Sequence, residues 1–506
     1  MKKKLWIVAI VLAIVAAVTP GVASAGSPSC DRRVNNNINK LLQCVTVEGV
    51  RQHQAAFQAA ADASGGTRAA GFAGYDASVA YVQETLEAAG YDVELDPFEF
   101  LFVPPATLNQ TAPVTAGYET GAFTGTGFGE IAGQVIPVDL ALEPPQDSTS
   151  GCEPEDFTGL DFSGPNDIAL VQRGTCFFST KAVNAEMAGA EAVIIMNQGN
   201  TPERSGLIVG NAATLPDGNP SNLSIPVVGA SFADGVALSQ DGSAAFINVD
   251  PAEQRTNYNV IAELPGRNDD NVVMAGAHLD SVQRGPGIQD NGSGSATILE
   301  VAVKMAKVKP VNTVRFAWWG GEELGLVGST DYVAGLSEDE IGDIALYLNF
   351  DMIGSPNFVY FIYDGDDSDG EGAGPGPEGS AQIESFFESF YEARGLPFLG
   401  TDFSGRSDYG PFIAVGIPAG GLFTGAEGVK TEEQAAIWGG TAGDQYDPCY
   451  HLACDTFDNI SLEALDVNSD AVAAAVLSYG MNTETINGVR GKGNFKAKNQ
   501  DFLPNA

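Results

Sequence analysis

The sequence predicts an α/β protein, with a mixed, mostly parallel sheet covered by helices on both faces and a β-rich module inserted into it. Three observations predict this. From Asn257 onward, apolar strands alternate with helical segments, the pattern of parallel strands joined by helical crossovers. From about Ala112 to Pro251 the texture differs: Gly, Thr, Ser and Pro become frequent and the strands shorten. The length, 506 residues, exceeds what one globular core usually holds. With 44% hydrophobic and 18% charged residues the chain has the apolar material for a core, which excludes a disordered or fibrous protein.

The elements follow in order. Val47–Ala63 reads as a weakly amphipathic helix that carries His53 on a solvated face. Asp76 is placed to cap a second helix, with Val79, Val82, Leu86 and Ala89 on one side and Gly90 at its end. Tyr91, Val93 and Leu95 alternate along a strand that Pro97 weakens. In the inserted module, 131–138, 167–172 and 192–196 read as strands and 180–188 as a helix. Beyond it come strands over 271–277, 313–319 and 344–350, and helices over 295–305 and 324–333. The expected organisation is therefore a leader (1–25), the first part of the main domain (26–111), the insertion (112–255), the rest of the main domain (256–487) and a polar tail (488–506).

The chain carries 65 Asp plus Glu against 25 Lys plus Arg, a formal charge of −40. A surface this acidic repels phosphate backbones and anionic lipid, so nucleic acid and membrane surfaces are excluded as partners. Lys2, Lys3 and Lys4, the apolar run Leu5–Val18 and Ala23-Ser24-Ala25 form a secretory signal pattern, which predicts export and a secreted, extracellular or periplasmic protein. Six cysteines in an oxidising compartment favour disulfides. Six allow fifteen pairings, and proximity favours Cys30–Cys44, Cys152–Cys176 and Cys449–Cys454.

There are only three histidines, so any metal site must be built largely from carboxylates. His278 closes an uncharged strand and is followed by Asp280. Asp290 precedes a helix, Glu322 and Glu323 follow the strand ending Trp318-Trp319, Asp351 closes another strand, and His451 lies between Cys449 and Cys454. Singly, Asp290 reads as a helix cap, the Glu pair as dipole compensation and Asp351 as a turn residue. Together they put two histidines and four acids at the carboxyl rim of one sheet, where ligands of such sheets bind. That set suits two zinc ions: His278 and Asp351 on one, Glu323 and His451 on the other, and Asp290 bridging. Asp280 would orient the His278 ring. Glu322 is left uncoordinated, as a general base requires.

The strings Ala275–Ser281, Asp290–Gly294, Gly321–Gly325, Asn349–Gly354 and Cys449–Asp455 resemble those of the secreted double-zinc aminopeptidases of the streptomycete type. The stretch Ile168–Phe177 with Ala188–Ile195 resembles a protease-associated domain. The resemblance implies a zinc-peptidase fold acting on peptide or protein N-termini, with Glu322 as base and the ligands named above. It also implies that Tyr450 bonds the developing oxyanion, that Arg406 contacts substrate near the scissile group, and that Phe423 walls a side-chain pocket suited to large apolar first residues. A monomer is expected. The resemblance leaves a same-fold carboxypeptidase or glutaminyl cyclase, and a metal-free receptor, as alternatives; the intact ligand set argues against the last. Some relatives bind calcium through aspartates that align with Asp466 and Asp470, but the third acid falls near Cys44 here. The acidic insertion Asp364–Glu378 has Asp367, Asp369, Glu371, Gly372 and Glu378 at EF-hand spacings, yet Pro375, Pro377 and the missing flanking helix favour a flexible solvated loop.

Overall fold

The computed structural model describes residues 30, 32–201, 204–370, 372–491 and 497–503; the leader pattern at 1–25 lies outside them. The chain separates into two compact units. One comprises the chain up to Asp96 together with that from Tyr258 onward, the other Pro97–Asn257.

An eight-stranded sheet runs in the spatial order Val93–Phe102, Glu253–Leu264, Asn312–Trp319, Asn268–His278, Ile344–Phe350, Ala419–Phe423, Phe361–Tyr363 and Leu399–Thr401. Its four central strands, from Asn312–Trp319 to Ala419–Phe423, are mutually parallel. They are buried on both faces, and the period of two sorts their side chains. Val273, Ala275, Trp318, Leu346 and Leu348 face a large core with the helices Val47–Asp62, Ala73–Ala89, Gly292–Met305, Ser380–Arg394 and Leu462–Met481. Val272, Met274, Trp319 and Tyr347 face a smaller core with Val333, Tyr409 and Phe412.

One glycine in this sheet is required by packing. A Cβ at Gly276 would lie 2.3 Å from the Tyr347 hydroxyl and 2.6 Å from Trp319 Nε1. Those two atoms are themselves hydrogen-bonded at 2.8 Å, Trp319 donating. The bare glycine lets a buried polar pair cross beneath the strand that ends in His278.

The second unit holds a seven-stranded sheet, in which Gly129–Pro137, Ile168–Gln172, Ala192–Met196 and Val227–Ala230 run parallel and the other strands antiparallel. Separate apolar cores cover its two faces. The three disulfides are the local pairs that proximity favours, Cys30–Cys44, Cys152–Cys176 and Cys449–Cys454.

Several local expectations change. His53 is buried, its Nδ1 2.8 Å from the Tyr81 hydroxyl and its Nε2 3.4 Å from Glu300, because it shares the packed face of its helix with Val50 and Phe57. Asp76 lies inside its helix, which starts at Ala73 after Phe72. The helix expected over 324–333 starts only at Val327. Gly321 at φ +66, Gly325 at φ +100 and Leu326 at φ +60 fold Glu322–Leu324 into a separate tight turn first. The Asp364–Glu378 insertion is tied down rather than free. Asp364 accepts the N–H groups of Ser368 and Asp369, Glu384 those of Gly365 and Asp366, and Asp402 that of Ala373.

Candidate active site

Strand register builds the centre of the site. Gly276 is level with Asn349 in the parallel pair, so His278 and Asp351, each two residues on, emerge side by side. His278 Nε2 lies 3.2 Å from Asp351 Oδ1. Its Nδ1 is 3.1 Å from the Asp280 carbonyl oxygen but 3.7 Å from the Asp280 carboxylate. The backbone carbonyl of Asp280 is thus the nearer partner of Nδ1, and a neutral ring donating to it from Nδ1 would turn its Nε2 lone pair toward the acids. The Asp280 carboxylate instead accepts the Glu322 N–H at 3.2 Å.

Asp290 reaches both histidines. Its Oδ1 is 3.2 Å from His278 Nε2 and its Oδ2 3.2 Å from His451 Nε2. It is free to do so because its neighbour Asn291, not Asp290, caps the helix Gly292–Met305, accepting the Gly294 N–H. Asn291 also donates to Phe350 O and accepts from Met352 N, which stitches the Asp290 segment to the Asp351 strand end.

His451 comes from the loop closed by Cys449–Cys454 and sits in the left-handed region at φ +58, a conformation costing a non-glycine residue about 1 kcal/mol. Its Nε2 is 3.0 Å from Glu323 Oε2, and its ring stacks on Tyr450 with centroids 3.8 Å apart. The same loop ends in Asp455, whose oxygens accept the N–H groups of Gln289 and Asp290 at 2.8 and 3.0 Å. Asp455 is absent from the sequence-predicted site, although it closes the Cys449–Asp455 string. Arg68 is also absent, and no local pattern marks it. It is fully buried and donates to the carbonyls of Leu279, Pro286 and Gly287, the segment between His278 and Asp290.

Electrostatics tests whether zinc fits these residues. Burial pushes the Glu322 carboxyl well above its ordinary range, with the charges of Glu323 and Asp351 adding to the effect. Burial and the Asp290 charge push Glu323 up to about 7. Against the cost of burial, Asp351 and Glu322 hold the His278 imidazolium well above its usual range, and Asp290 and Glu323 hold that of His451 up to about 10. Two carboxyls pushed up by burial and by one another's charge, beside two imidazoles held charged by their acid neighbours, mark a buried pocket with an excess of carboxylates over cations. Glu323 Oε1 is moreover buried with no hydrogen-bond partner. Ligand atoms on a tetrahedral zinc stand about 3.3 Å apart. The four separations between these imidazoles and carboxylates, 3.0–3.2 Å, are of that size. The residues fit zinc.

Beside them opens a cavity of about 470 Å³ lined by Glu322, Met352, Tyr409, Phe423 and Tyr450 among others. Arg406 also lines it, exposed, donating to Glu427 at 2.7 Å and to the Tyr450 hydroxyl at 3.2 Å. Ser407 donates to Asp351 Oδ2 at 2.6 Å. The positions considered for calcium are differently engaged. Asp470 accepts from Arg394 at 2.7 Å, and burial pushes the Asp466 carboxyl up, against the Arg394 charge and with that of Glu48.

Residues 259–476 match the family model for peptidase family M28, and residues 131–238 that for the PA domain. The chain is 48% identical over 455 residues to an aminopeptidase of Pseudomonas aeruginosa, covering 88% of this chain and 83% of that one. It is 41% identical over 460 residues to a probable lipoprotein aminopeptidase of Mycobacterium tuberculosis, covering 88% and 87%. Among solved structures it resembles a zinc aminopeptidase from Bacillus subtilis, with a TM-score of 0.63, 26% identity and coverage of 90% and 98%. Ligand-type residues at the carboxyl rim of a mixed sheet, an inserted second module and these relatives together make the chain a member of peptidase family M28 with an inserted PA domain.

Proposed function

We propose that this chain is an exported zinc aminopeptidase that removes the N-terminal residue, preferably a large apolar one, from peptides. The observation that carries the reading is Asp290 extending one carboxylate oxygen to each of two histidines, each of which has a further acid at 3.0–3.2 Å. His278 and Asp351 would hold one zinc ion, His451 and Glu323 a second, and Asp290 both. When bound, zinc supplies Lewis acidity toward a carbonyl oxygen and lowers the pKa of water toward neutrality.

The protein's own groups do the rest. Glu322, with a carboxylate oxygen 3.9 Å from His278 Nε2, accepts the proton of the attacking water and passes it to the leaving amine. Burial and the charges of Asp290 and Glu323 keep the Tyr450 hydroxyl protonated, so it donates to the carbonyl oxygen as negative charge develops there. Arg406 holds that hydroxyl from the open side and contacts the substrate near the scissile bond. Glu322 and Asp351 receive the free α-ammonium, which restricts cleavage to the first residue. Phe423 and Met352 bound the space for its side chain. The reading of export draws on the signal pattern and the three disulfides.

A panel of aminoacyl p-nitroanilides, run with and without 1,10-phenanthroline, tests the reading. Leucine and phenylalanine derivatives should be hydrolysed, chelator should stop the reaction and zinc should restore it. Equal cleavage of a peptide and its N-acetylated form would reject the aminopeptidase assignment.

A further inference from the structure

Gly405 stands where three depressions meet. It lines the cavity beside the zinc-type ligands, a groove between the helices Val327–Gly335 and Tyr409–Ala414, and a second groove walled by Gly374–Pro377. Leu326 lines both the cavity and the first groove, so the two adjoin there. At Gly405 the backbone is left-handed, with φ +78, and a Cβ there would meet nothing within 4 Å. Gly405 itself thus puts no side chain into the junction, and the Leu326 side chain lies at its edge, against Gly410.

The first groove, about 510 Å³, is bounded by Leu326, Val333, Ala334, Pro411, Ala414 and Val415. Neither groove has an ionisable residue in its lining, on a chain whose formal charge is −40. An uncharged trough on so acidic a surface selects an apolar occupant, and its place beside the cavity points to the peptide held there. Arg406, at the scissile side of the cavity, adjoins Gly405 in sequence. A peptide leaving past Arg406 can run its backbone over the bare glycine and lay its next side chains between the two helices. Two extended residues span about 7 Å, a reach that would carry the second and third side chains from beside Arg406 toward the trough.

We propose that this trough binds the part of the substrate beyond the scissile bond and selects peptides whose second and third residues are apolar. The proposal rests on the aminopeptidase reading above and adds a second level of specificity to it.

The test uses the full-length zinc-loaded protein with three substrates: leucine p-nitroanilide, which has no second residue, Leu-Phe-Leu and Leu-Asp-Asp. Wild type should hydrolyse Leu-Phe-Leu with a kcat/KM at least about tenfold above that for Leu-Asp-Asp. Ala334 and Ala414 are both exposed, so charged side chains there should be accommodated. Ala334→Glu and Ala414→Arg should each remove most of that preference while leaving leucine p-nitroanilide hydrolysis within about twofold of wild type. Equal turnover of the two tripeptides by wild type, or an unchanged preference in both variants, overturns the proposal. So does a change in sedimentation without a change in preference, which would give the trough to a second copy of the chain. If leucine p-nitroanilide is not hydrolysed at all, the aminopeptidase reading falls and the trough assignment with it. The wild-type comparison needs no variant, so a variant that fails to fold cannot hide the answer.

Discussion

Asp290 faces His278 with one carboxylate oxygen and His451 with the other, each 3.2 Å away, although the three residues come from a pre-helix loop, a strand end and a disulfide-closed loop. If Asp290 bridges two ions, its loss damages both sites, whereas the loss of a terminal ligand damages one. Asp290→Ala should therefore leave well under one zinc per chain, and His451→Ala or Asp351→Ala about one of two. Metal analysis after gel filtration reads this directly. An Asp290→Ala protein that retains both ions would remove Asp290 from the bridge.

In the proposed arrangement Glu322 is the acid left without a metal, although its carboxylate also lies 3.9 Å from His278 Nε2, in a group with Asp351 that could itself hold an ion. Glu322→Gln keeps size and polarity but cannot accept a proton, so kcat should fall about 10²–10⁴-fold with KM and zinc content nearly unchanged. Loss of zinc in this variant would instead make Glu322 a ligand.

Asp455 grips the backbone of the segment that presents Asp290, and it follows immediately on the disulfide of the loop that presents His451. One side chain thus ties two ligand-bearing segments together. Asp455→Ala should weaken zinc binding about 10–100-fold, measured by competition with a chromophoric chelator, while Asp455→Asn, which keeps one acceptor oxygen, should lie between it and wild type. Identical zinc affinity in all three proteins would leave Asp455 a purely local role.

What the sequence made legible was whatever depends on neighbours along the chain. Strand ends at His278 and Asp351 and the Cys449–Cys454 loop have local signatures that led to side chains the structure brings together, whereas the cap that Asp290 alone suggested belongs to Asn291. What stayed hidden depends on neighbours across space. Arg68 bonds carbonyls more than two hundred positions away, and His53 is buried only because two other helices cover its face. The turn at Glu322–Leu324 was misread because Leu326 is not a residue that announces a left-handed conformation. Asp280 was expected to hold the His278 ring through its carboxylate, and its backbone carbonyl lies nearer, at 3.1 Å against 3.7 Å.

Gly276 supports the site from below. A methyl group at this position collides with the Trp319–Tyr347 pair, and all three residues lie in the sheet interior, where nothing can yield cheaply. Gly276→Ala should cost about 1–3 kcal/mol of stability. It should also lower zinc affinity, because the strand it displaces ends in His278. A denaturant titration within about 0.5 kcal/mol of wild type would show that the sheet relaxes more easily than its packing implies.

The insertion that walls the second groove carries its own pH dependence. Burial holds the Glu384 carboxyl up to about 7, against the hydrogen bond from Gly365 N–H and aided by the charges of Asp364 and Asp366. In the unfolded chain the same group titrates near its ordinary value of about 4.3. The folded state therefore binds this proton more tightly, so the contribution to stability is complete below that value and is lost as pH rises toward 7. Glu384→Gln keeps an oxygen for the Gly365 and Asp366 N–H groups but carries no charge to desolvate. The variant should thus gain on wild type as pH rises from 5 to 8, by on the order of 1 kcal/mol once solvent screening is allowed for. Parallel unfolding curves for the two proteins across that range would mean that the Glu384 carboxyl titrates in the folded protein as it does in the open chain.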